Sequence, residues 1–261
     1  MKSNKVLGQH FLKSYFFAKK IVNCLSLNPN DVVIEVGPGK GMLTNFLLNI
    51  KKLILIEKDK FLYDYLKKKY QNYQNIIILN NDILEIDLKK ILHGYINVNE
   101  IKLISNLPYY LSKIFFKKMI NWNFIKIFVL TIQKELANRL LANETTKING
   151  YLTIKINYYF KIKKIFDIKK KHFNPPPKIT STTLLFQFQN NYLIKNKEIF
   201  FHFLSLIFQF KRKTLFNNLK LEYQKKQIYF AYIAMNLDLK IRSENLNIWN
   251  IICLYFLLQS C

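Results

Sequence analysis

Short apolar runs rich in Val, Ile and Leu alternate with longer segments of helical spacing along the first two-thirds of the chain. The runs lie at residues 32–36, 53–57, 76–79, 102–105 and 127–132. Uninterrupted runs of this kind are typical of strands buried on both faces of a parallel sheet. Helical spacing lies between them at residues 42–50, 61–70 and 112–119. This order predicts right-handed crossovers and a doubly wound α/β domain.

The strand pattern ends near residue 190. Residues 151–168 and 182–188 have the composition of further strands around the loop HFNPPPKITS at residues 172–181. Beyond that point only helical periodicity remains, at residues 198–210, 212–219, 223–235 and 244–258. The sequence therefore predicts an α/β domain over residues 1–190 and a small all-helical C-terminal domain over residues 191–261.

The charge balance favours a polyanionic partner. The 261 residues include 41 Lys and Arg against 16 Asp and Glu, which gives a formal net charge of +25. Surface Lys and Arg release counterions from nucleic-acid phosphates, so nucleic acid is the first choice and an acidic membrane surface the rival. The most apolar segments, at residues 199–210 and 248–258, contain polar residues and are too short to span a membrane.

The cysteines indicate a reducing compartment. Cys24, Cys253 and Cys261 are odd in number, stand far apart and have no metal-ligand spacing, so neither a disulfide framework nor a bound metal is expected. The N-terminal residues lack the continuous apolar stretch of a secretory signal. We therefore expect a cytoplasmic protein.

The segment EVGPGKG at residues 35–41 follows the first apolar run. Three of the six glycines of the chain, Gly37, Gly39 and Gly41, fall within five residues here. Their spacing is GxGxG, whereas GxGxxG seats a pyrophosphate on a helix N-terminus. A nucleoside ligand without phosphates, such as S-adenosylmethionine, needs the tight turn alone. An NAD-dependent dehydrogenase is the second choice, and a plain strand–helix turn is the alternative.

Acidic residues follow the next two runs. Glu57 ends the second run, 20 positions after Gly37, the separation at which an acidic residue meets ribose hydroxyls. Asp82 follows the third run and is expected at the same edge of the sheet. The sequence therefore predicts a nucleoside site that includes Gly37, Gly39, Glu57 and Asp82.

The segment SNLPYYLS at residues 105–112 ends the fourth run. Pro108 lacks an N–H and biases Leu107 toward extended geometry, which can point the Leu107 carbonyl into a crevice beside the side-chain carbonyl of Asn106. Two acceptors match the two N–H bonds of an exocyclic amine, and an aromatic ring nearby can stack on a base. Such a clamp would polarise an amine for attack on a sulfonium methyl. The alternative is a strand end with ordinary turn residues.

Several motifs together resemble one family. GQHFL (8–12), EVGPGKG, NLPYYLS, QKE (133–135), FNPPPKITS (173–181), FKRKTLFNNL (210–219) and RSENL (242–246) occur in the same order as in the small-subunit ribosomal RNA adenine N6,N6-dimethyltransferases of the KsgA type. The resemblance spans nearly the whole chain. It implies a Rossmann-like S-adenosylmethionine-dependent methyltransferase fold with a small all-helical C-terminal domain. The implied reaction dimethylates N6 of two adjacent adenosines in the 3′-terminal hairpin of small-subunit (16S) rRNA during small-subunit biogenesis.

The resemblance also implies roles for individual residues. The cofactor contacts would fall on His10, Leu12, Gly37, Glu57, Asp82 and Asn106, and the target adenine would be held by Asn106, Leu107, Pro108 and Tyr109. Phe173 would close over the other face of that adenine, with packing against the proline loop as the alternative. Lys211, Arg212 and Lys213 would meet RNA phosphates, with a solvated basic face as the alternative.

The same resemblance implies small-subunit rRNA within a pre-ribosomal particle as partner, no membrane and a monomeric enzyme. Two positions depart from the family pattern, since His10 stands where many members have Asn and Lys211 where an Arg is usual. Two rivals stay open: the antibiotic-resistance enzymes that methylate an adenine of large-subunit rRNA, and a non-catalytic RNA-binding assembly or transcription factor of the same fold. The presence of Glu57, Asp82 and residues 106–109 argues against the non-catalytic factor.

Overall fold

The structure of the chain is a computed structural model that describes residues 10–95, 100–141, 150–189 and 194–260, without the side chain of Tyr109. It divides into two compact units. The first comprises Met1–Ala137 and Lys161–Phe188, and the second comprises Asn138–Phe160 and Gln189–Cys261.

A seven-stranded sheet organises the first unit. Its strands are β2 (Val32–Val36), β3 (Lys52–Ile56), β4 (Ile76–Leu79), β5 (Ile101–Asn106), β6 (Ile125–Gln133), β7 (Phe160–Ile168) and β9 (Ser181–Phe188). The order across the sheet is β4-β3-β2-β5-β6-β9-β7. The five strands from β4 to β6 are parallel, and β9 runs antiparallel to β6. The short strands β1 (Phe11–Leu12) and β8 (Phe173–Asn174) form a separate antiparallel pair.

Burial on both faces explains why the central strands are apolar throughout. All five residues of β2 are buried, and Ile34 pairs with Ile54 on one side and Leu103 on the other. Because neighbouring strands are parallel, their carboxyl ends meet at one edge of the sheet. The residues that follow β2, β3, β4 and β5 therefore lie at the same edge. The predicted Rossmann-like α/β fold is confirmed.

Among the described residues, the helices that belong wholly or partly to this unit are α1 (Tyr15–Asn23), α2 (Lys60–Lys69), α3 (Leu88–Ile91), α4 (Ser112–Met119) and α5 (Lys134–Leu140). Ser14, Asp59 and Asp87 accept hydrogen bonds from amides of the first turns of α1, α2 and α3.

The helix predicted at residues 42–50 is wrong, because only a short 3-10 turn forms there at Thr44–Phe46. Asn75 donates hydrogen bonds to the carbonyls of Leu48 and Ile50 at 2.9 and 2.8 Å. Side-chain bonds to these carbonyls replace those that a helix would supply.

The second unit is helical, with α6 (Tyr151–Tyr159), α7 (Lys197–Ile207), α8 (Leu215–Leu219), α9 (Lys225–Ala234) and α10 (Ile248–Gln259). The strand predicted over residues 151–168 is wrong for its first half, which forms α6. Ile154 and Tyr158, four positions apart on that helix, are both buried in the apolar cluster of this unit. Packing of one helical face outweighs the strand preference of the Ile- and Tyr-rich composition.

The structural division differs from the boundary predicted at residue 190, since Asn138–Phe160 belongs to the second unit. The sequence pattern could not reveal this, because the segment returns to the sheet through β7. The RNA-binding role assigned to residues 191–261 stays a prediction. Within the residues that the structure describes, every helix is either too short or too polar to cross a membrane.

Candidate functional site

A cavity of about 240 Å³ opens at the carboxyl edge of the sheet. It is bounded by β1 and by the segments that follow β2, β3, β4 and β5. Its lining includes the predicted residues His10, Leu12, Gly37, Gly39, Glu57, Asp82, Asn106, Leu107 and Pro108. Residues from five separate segments of the chain thus meet at one place.

The three glycines after β2 share a backbone conformation but differ in what a side chain at each position would meet. All three adopt positive φ, at +65° for Gly37, +58° for Gly39 and +79° for Gly41. A Cβ at Gly39 would lie 2.9 Å from the ring of Phe11, and one at Gly41 would collide with the Tyr70 hydroxyl. A Cβ at Gly37 would meet nothing within 4 Å, because this residue borders the open cavity.

Glu57 connects the glycine turn to the start of α2. Its Oε2 accepts a hydrogen bond from the amide of Gly39 at 3.1 Å, and its Oε1 accepts one from the amide of Asp59 at 2.9 Å. The side chain lines the cavity although it is buried, and burial raises its pKa. The carboxyl group is therefore held at a defined position by two main-chain donors.

Asp82 also lines the cavity and forms an ion pair with Lys58. Its Oδ2 lies 2.8 Å from Lys58 Nζ, and its Oδ1 accepts a hydrogen bond from the amide of Leu84 at 2.8 Å. Burial alone would raise the pKa of Asp82, but the hydrogen bonds from Lys58 and Leu84 outweigh it and lower that pKa. Asp82 is thereby kept ionised. Lys58 also lines the cavity and was not foreseen from the sequence.

Glu35 is a further acidic residue that sequence reasoning did not assign. It is buried, lines the cavity, and accepts a hydrogen bond from Thr44 Oγ1 at 2.7 Å. Burial raises its pKa to about 7. A carboxylate inside the otherwise apolar run VVIEV was the available signal, because buried acids without a role are rare.

Asn106, at the end of β5, is held by the residue that precedes β1. Its Nδ2 donates a hydrogen bond to the carbonyl of His10 at 3.0 Å, and His10 Nδ1 lies 2.9 Å from the carbonyl of Pro175. The amide of Leu107 donates to the carbonyl of Thr131 at 3.1 Å, which attaches this segment to β6. The segment is therefore attached both to the chain just before β1 and to β6.

Of the two aromatic residues predicted to hold the adenine, the structure describes the side chain of Phe173 only. The side chain of Tyr109 lies outside the described part of the structure, whereas the neighbouring Tyr110 is exposed and lines the cavity. Phe173 is 2% exposed, belongs to the apolar core and pairs with Leu12 between β8 and β1. The cavity lining includes the next residue, Asn174, rather than Phe173 itself.

The three predicted RNA-binding residues lie in the second unit. Lys211, Arg212 and Lys213 are exposed on the turn between α7 and α8. Buried Asn218 fastens this turn, because its Nδ2 donates to the carbonyls of Ile207 and Phe210 at 2.8 and 3.4 Å. We call residues 211–213 the basic turn.

A buried serine, Ser243, also supports the basic turn. Ser243 donates its hydroxyl hydrogen to the carbonyl of Ile207, where Asn218 also donates. Leu246 is buried in the apolar cluster of this unit. The motifs FKRKTLFNNL and RSENL thus contribute interior residues that support the basic turn.

Comparison with known proteins gives concordant results. A family model described as ribosomal RNA adenine dimethylase matches residues 1–254. The chain is 34% identical over 252 residues to the ribosomal RNA small subunit methyltransferase A of Caldanaerobacter subterraneus subsp. tengcongensis, covering 95% of this chain and 94% of that protein. It is 38% identical over 246 residues to the protein of the same name from Mesomycoplasma hyopneumoniae, covering 94% and 92%.

Two solved structures are similar over nearly their whole length. A dimethyladenosine transferase from Plasmodium falciparum superposes with a TM-score of 0.79 at 25% identity, covering 96% of this chain and 98% of the other. The 23S rRNA methyltransferase ErmE superposes with a TM-score of 0.78 at 19% identity, covering 95% and 99%. The second likeness concerns the fold alone.

Proposed function

The chain belongs to the ribosomal RNA adenine dimethylase family and is an S-adenosylmethionine-dependent rRNA methyltransferase, and we propose that it dimethylates N6 of two adjacent adenosines in the 3′-terminal hairpin of small-subunit rRNA. The family membership expected from the ordered motifs is confirmed. The relatives at 34% and 38% identity bear the name of a small-subunit methyltransferase, which supports this target over large-subunit rRNA.

The residues at the cavity suit S-adenosylmethionine, which supplies an electrophilic methyl group on a sulfonium when bound. Gly37 leaves open space at the turn where a nucleoside would pass close to the main chain. Glu57 and Asp82 present carboxyl groups that can accept hydrogen bonds from ribose hydroxyls and from an adenine amine.

The orientation of Asn106 carries the catalytic proposal. Because its Nδ2 is committed to the carbonyl of His10, its Oδ1 is the atom left to accept a hydrogen bond from a base in the cavity. The carbonyl of Leu107 would accept the second N–H of the same exocyclic amine. Two acceptors draw electron density onto the amine nitrogen and aim its lone pair, so the rate gain comes from positioning and charge stabilisation.

The aromatic residues would hold the ring of the target base. We assign stacking to Tyr109, next to Pro108 at the cavity rim. Closure of Phe173 over the opposite face requires its ring to leave the apolar core in which the structure places it. Burial at 2% exposure equally suits the alternative, in which Phe173 packs under the proline loop and supports Asn174.

The remaining proposals concern the partner. The basic turn would bind phosphates of small-subunit rRNA within a pre-ribosomal particle, and the enzyme would act as a cytoplasmic monomer. The exposure of all three side chains and their rigid support by Asn218 suit contact with a polyanion.

Incubation with methyl-labelled cofactor and small subunits that lack the modification tests the function directly. We expect N6,N6-dimethyladenosine on digestion of the small-subunit rRNA and none in large subunits treated in parallel. Label confined to large-subunit rRNA would contradict the proposed target. Binding of small subunits without any methyl transfer would instead support the non-catalytic assembly factor.

A further inference from the structure

We propose that the start of α1 and the turn at Lys170–His172 form a surface that binds unpaired nucleotides of the RNA substrate beside the cavity. This inference rests on the proposed function, since it assigns a second contact for the same RNA. We call it the α1 surface. It comprises Lys13, Tyr15, Phe16, Lys20, Lys170 and Lys171.

The first observation is the exposure of two adjacent aromatic rings. Tyr15 is 62% exposed and Phe16 is 66% exposed, at the first two positions of α1. Their neighbour Phe17 points to the protein and contacts the rings of Phe166 and His172 at centroid distances of 5.7 and 4.7 Å. The two exposed rings are therefore presented by a firmly packed helix, which suits stacking on bases.

The second observation is the charge around these rings. Lys20 Nζ lies 5.6 Å from the ring centroid of Phe16 and 4.9 Å from that of Phe166. Lys13, Lys170 and Lys171 are exposed as well. The sequence contains no Asp or Glu at residues 10–30 or 168–180, so no acidic residue of these segments opposes a polyanion. Lysines interleaved with exposed rings are typical of single-stranded nucleic-acid binding.

The third observation is the position of this surface. Lys13 lines the cavity, and its amide donates a hydrogen bond to the carbonyl of His172 at 2.9 Å. The helix start and the lysine turn are thereby joined at the cavity rim, and Tyr15 follows two residues later. An RNA whose target base enters the cavity would bring the neighbouring nucleotides to these rings.

Single-stranded RNA fits these features better than duplex RNA of the same substrate. Exposed rings stack on bases whose faces are free, and the lysines can pair with phosphates of the same strand. A duplex of the same length keeps its bases stacked internally and would gain from the lysines alone.

The test uses the full chain and a fluorescently labelled ten-nucleotide oligouridylate, with the melting temperature of each variant as a check on folding. We expect the double variant Tyr15→Ala/Phe16→Ala to bind it about tenfold more weakly at unchanged salt dependence. The double variant Lys170→Ala/Lys171→Ala should lower the slope of log K against log salt by about 1.4. Phe61→Ala is the matched control, because Phe61 is 65% exposed at the start of α2 in the same unit.

Equal binding by the wild type and the Tyr15→Ala/Phe16→Ala variant would overturn the proposal, and so would an equal loss in Phe61→Ala. A stronger effect of the aromatic variant on duplex RNA than on the single strand would also contradict it. In methylation of small subunits the aromatic variant should raise KM while kcat stays unchanged. Failure of the wild type to methylate any rRNA would reject the proposed function, whereas a ring-dependent loss of oligouridylate binding would still support this surface.

Discussion

The side-chain amide of Asn106 donates a hydrogen bond to the main-chain carbonyl of His10 across 3.0 Å, although 96 positions separate the two residues. The bond settles which end of the amide faces the cavity. The contact to Asn106 uses the main chain of His10 and not its ring, so it does not depend on the side chain at position 10. The proposed clamp would therefore depend on how β1 is placed as much as on NLPYYLS itself.

Replacement of Asn106 should separate catalysis from binding. Asn106→Ala removes the proposed acceptor, so methyl transfer should fall about 100-fold or more while the affinity for RNA stays close to wild type. Asn106→Asp keeps an acceptor oxygen but loses the N–H donor to His10, and its transfer rate should be similarly low. Single-turnover methylation and filter binding measure the two quantities. Wild-type transfer by Asn106→Ala would remove this residue from the mechanism.

Two glycine substitutions should have different consequences. Gly37→Ala places a methyl group at positive φ toward the open cavity, so it should weaken the binding of S-adenosylmethionine about tenfold or more with little loss of stability beyond about 1–2 kcal/mol. Gly41→Ala forces a collision with Tyr70, whose hydroxyl bonds the Gly41 carbonyl and Asn45, and should mainly destabilise the fold. Titration calorimetry and thermal unfolding distinguish them. A greater loss of stability in Gly37→Ala than in Gly41→Ala, with unchanged cofactor binding, would contradict the position of Gly37 at the cofactor site.

The raised pKa of Glu35 makes stability depend on pH. The folded state holds the proton up to about pH 7, whereas the unfolded chain releases it near 4.5, so the free energy of unfolding should decrease as pH rises between these values. The full loss is about 3 kcal/mol. Glu35→Gln removes this dependence while it keeps an acceptor for Thr44. Urea unfolding of the wild type and Glu35→Gln from pH 4 to 8 measures this dependence. A difference in the free energy of unfolding that stays constant across that range would contradict the prediction.

Removal of charge from the basic turn should weaken RNA binding in a salt-dependent way. Lys211→Ala/Arg212→Ala/Lys213→Ala should lower the slope of log K against log salt by about 2, with unchanged binding of S-adenosylmethionine. The control is the variant Lys225→Ala/Lys226→Ala, because these two lysines are exposed at the start of α9 in the same unit. If both variants lose the same affinity for RNA per charge removed, a general charge effect explains the result and the basic turn has no special role.

Asn218→Ala should act on the same turn through its support. The substitution leaves the carbonyl of Phe210 without its Asn218 donor and removes one of two donors to Ile207, so it should cost about 1–3 kcal/mol of stability. It should also weaken RNA binding although no charge changes. Binding at wild-type strength in a folded Asn218→Ala protein would show that the turn does not need this support.

Local patterns were sufficient for most of the site because each motif follows a strand of one parallel sheet. Apolar runs predict such strands, and the common edge then brings together Gly37, Glu57, Asp82 and Asn106 without any further information. Lys58 and Glu35 were missed for different reasons. Lys58 joins the site through a contact with Asp82 that only folding creates, and Glu35 was hidden inside the strand signal.

The sequence alone determined the α/β class, the helical C-terminal region and the family, because those follow from periodicity and from ordered motifs that need no knowledge of distant contacts. Tertiary structure decided the helix at Tyr151–Tyr159, the short turn at Thr44–Phe46 and the buried position of Phe173. In each case the competing local conformations are close in energy, and packing or side-chain bonds from remote segments choose between them. Those remote partners exist only once the chain has folded.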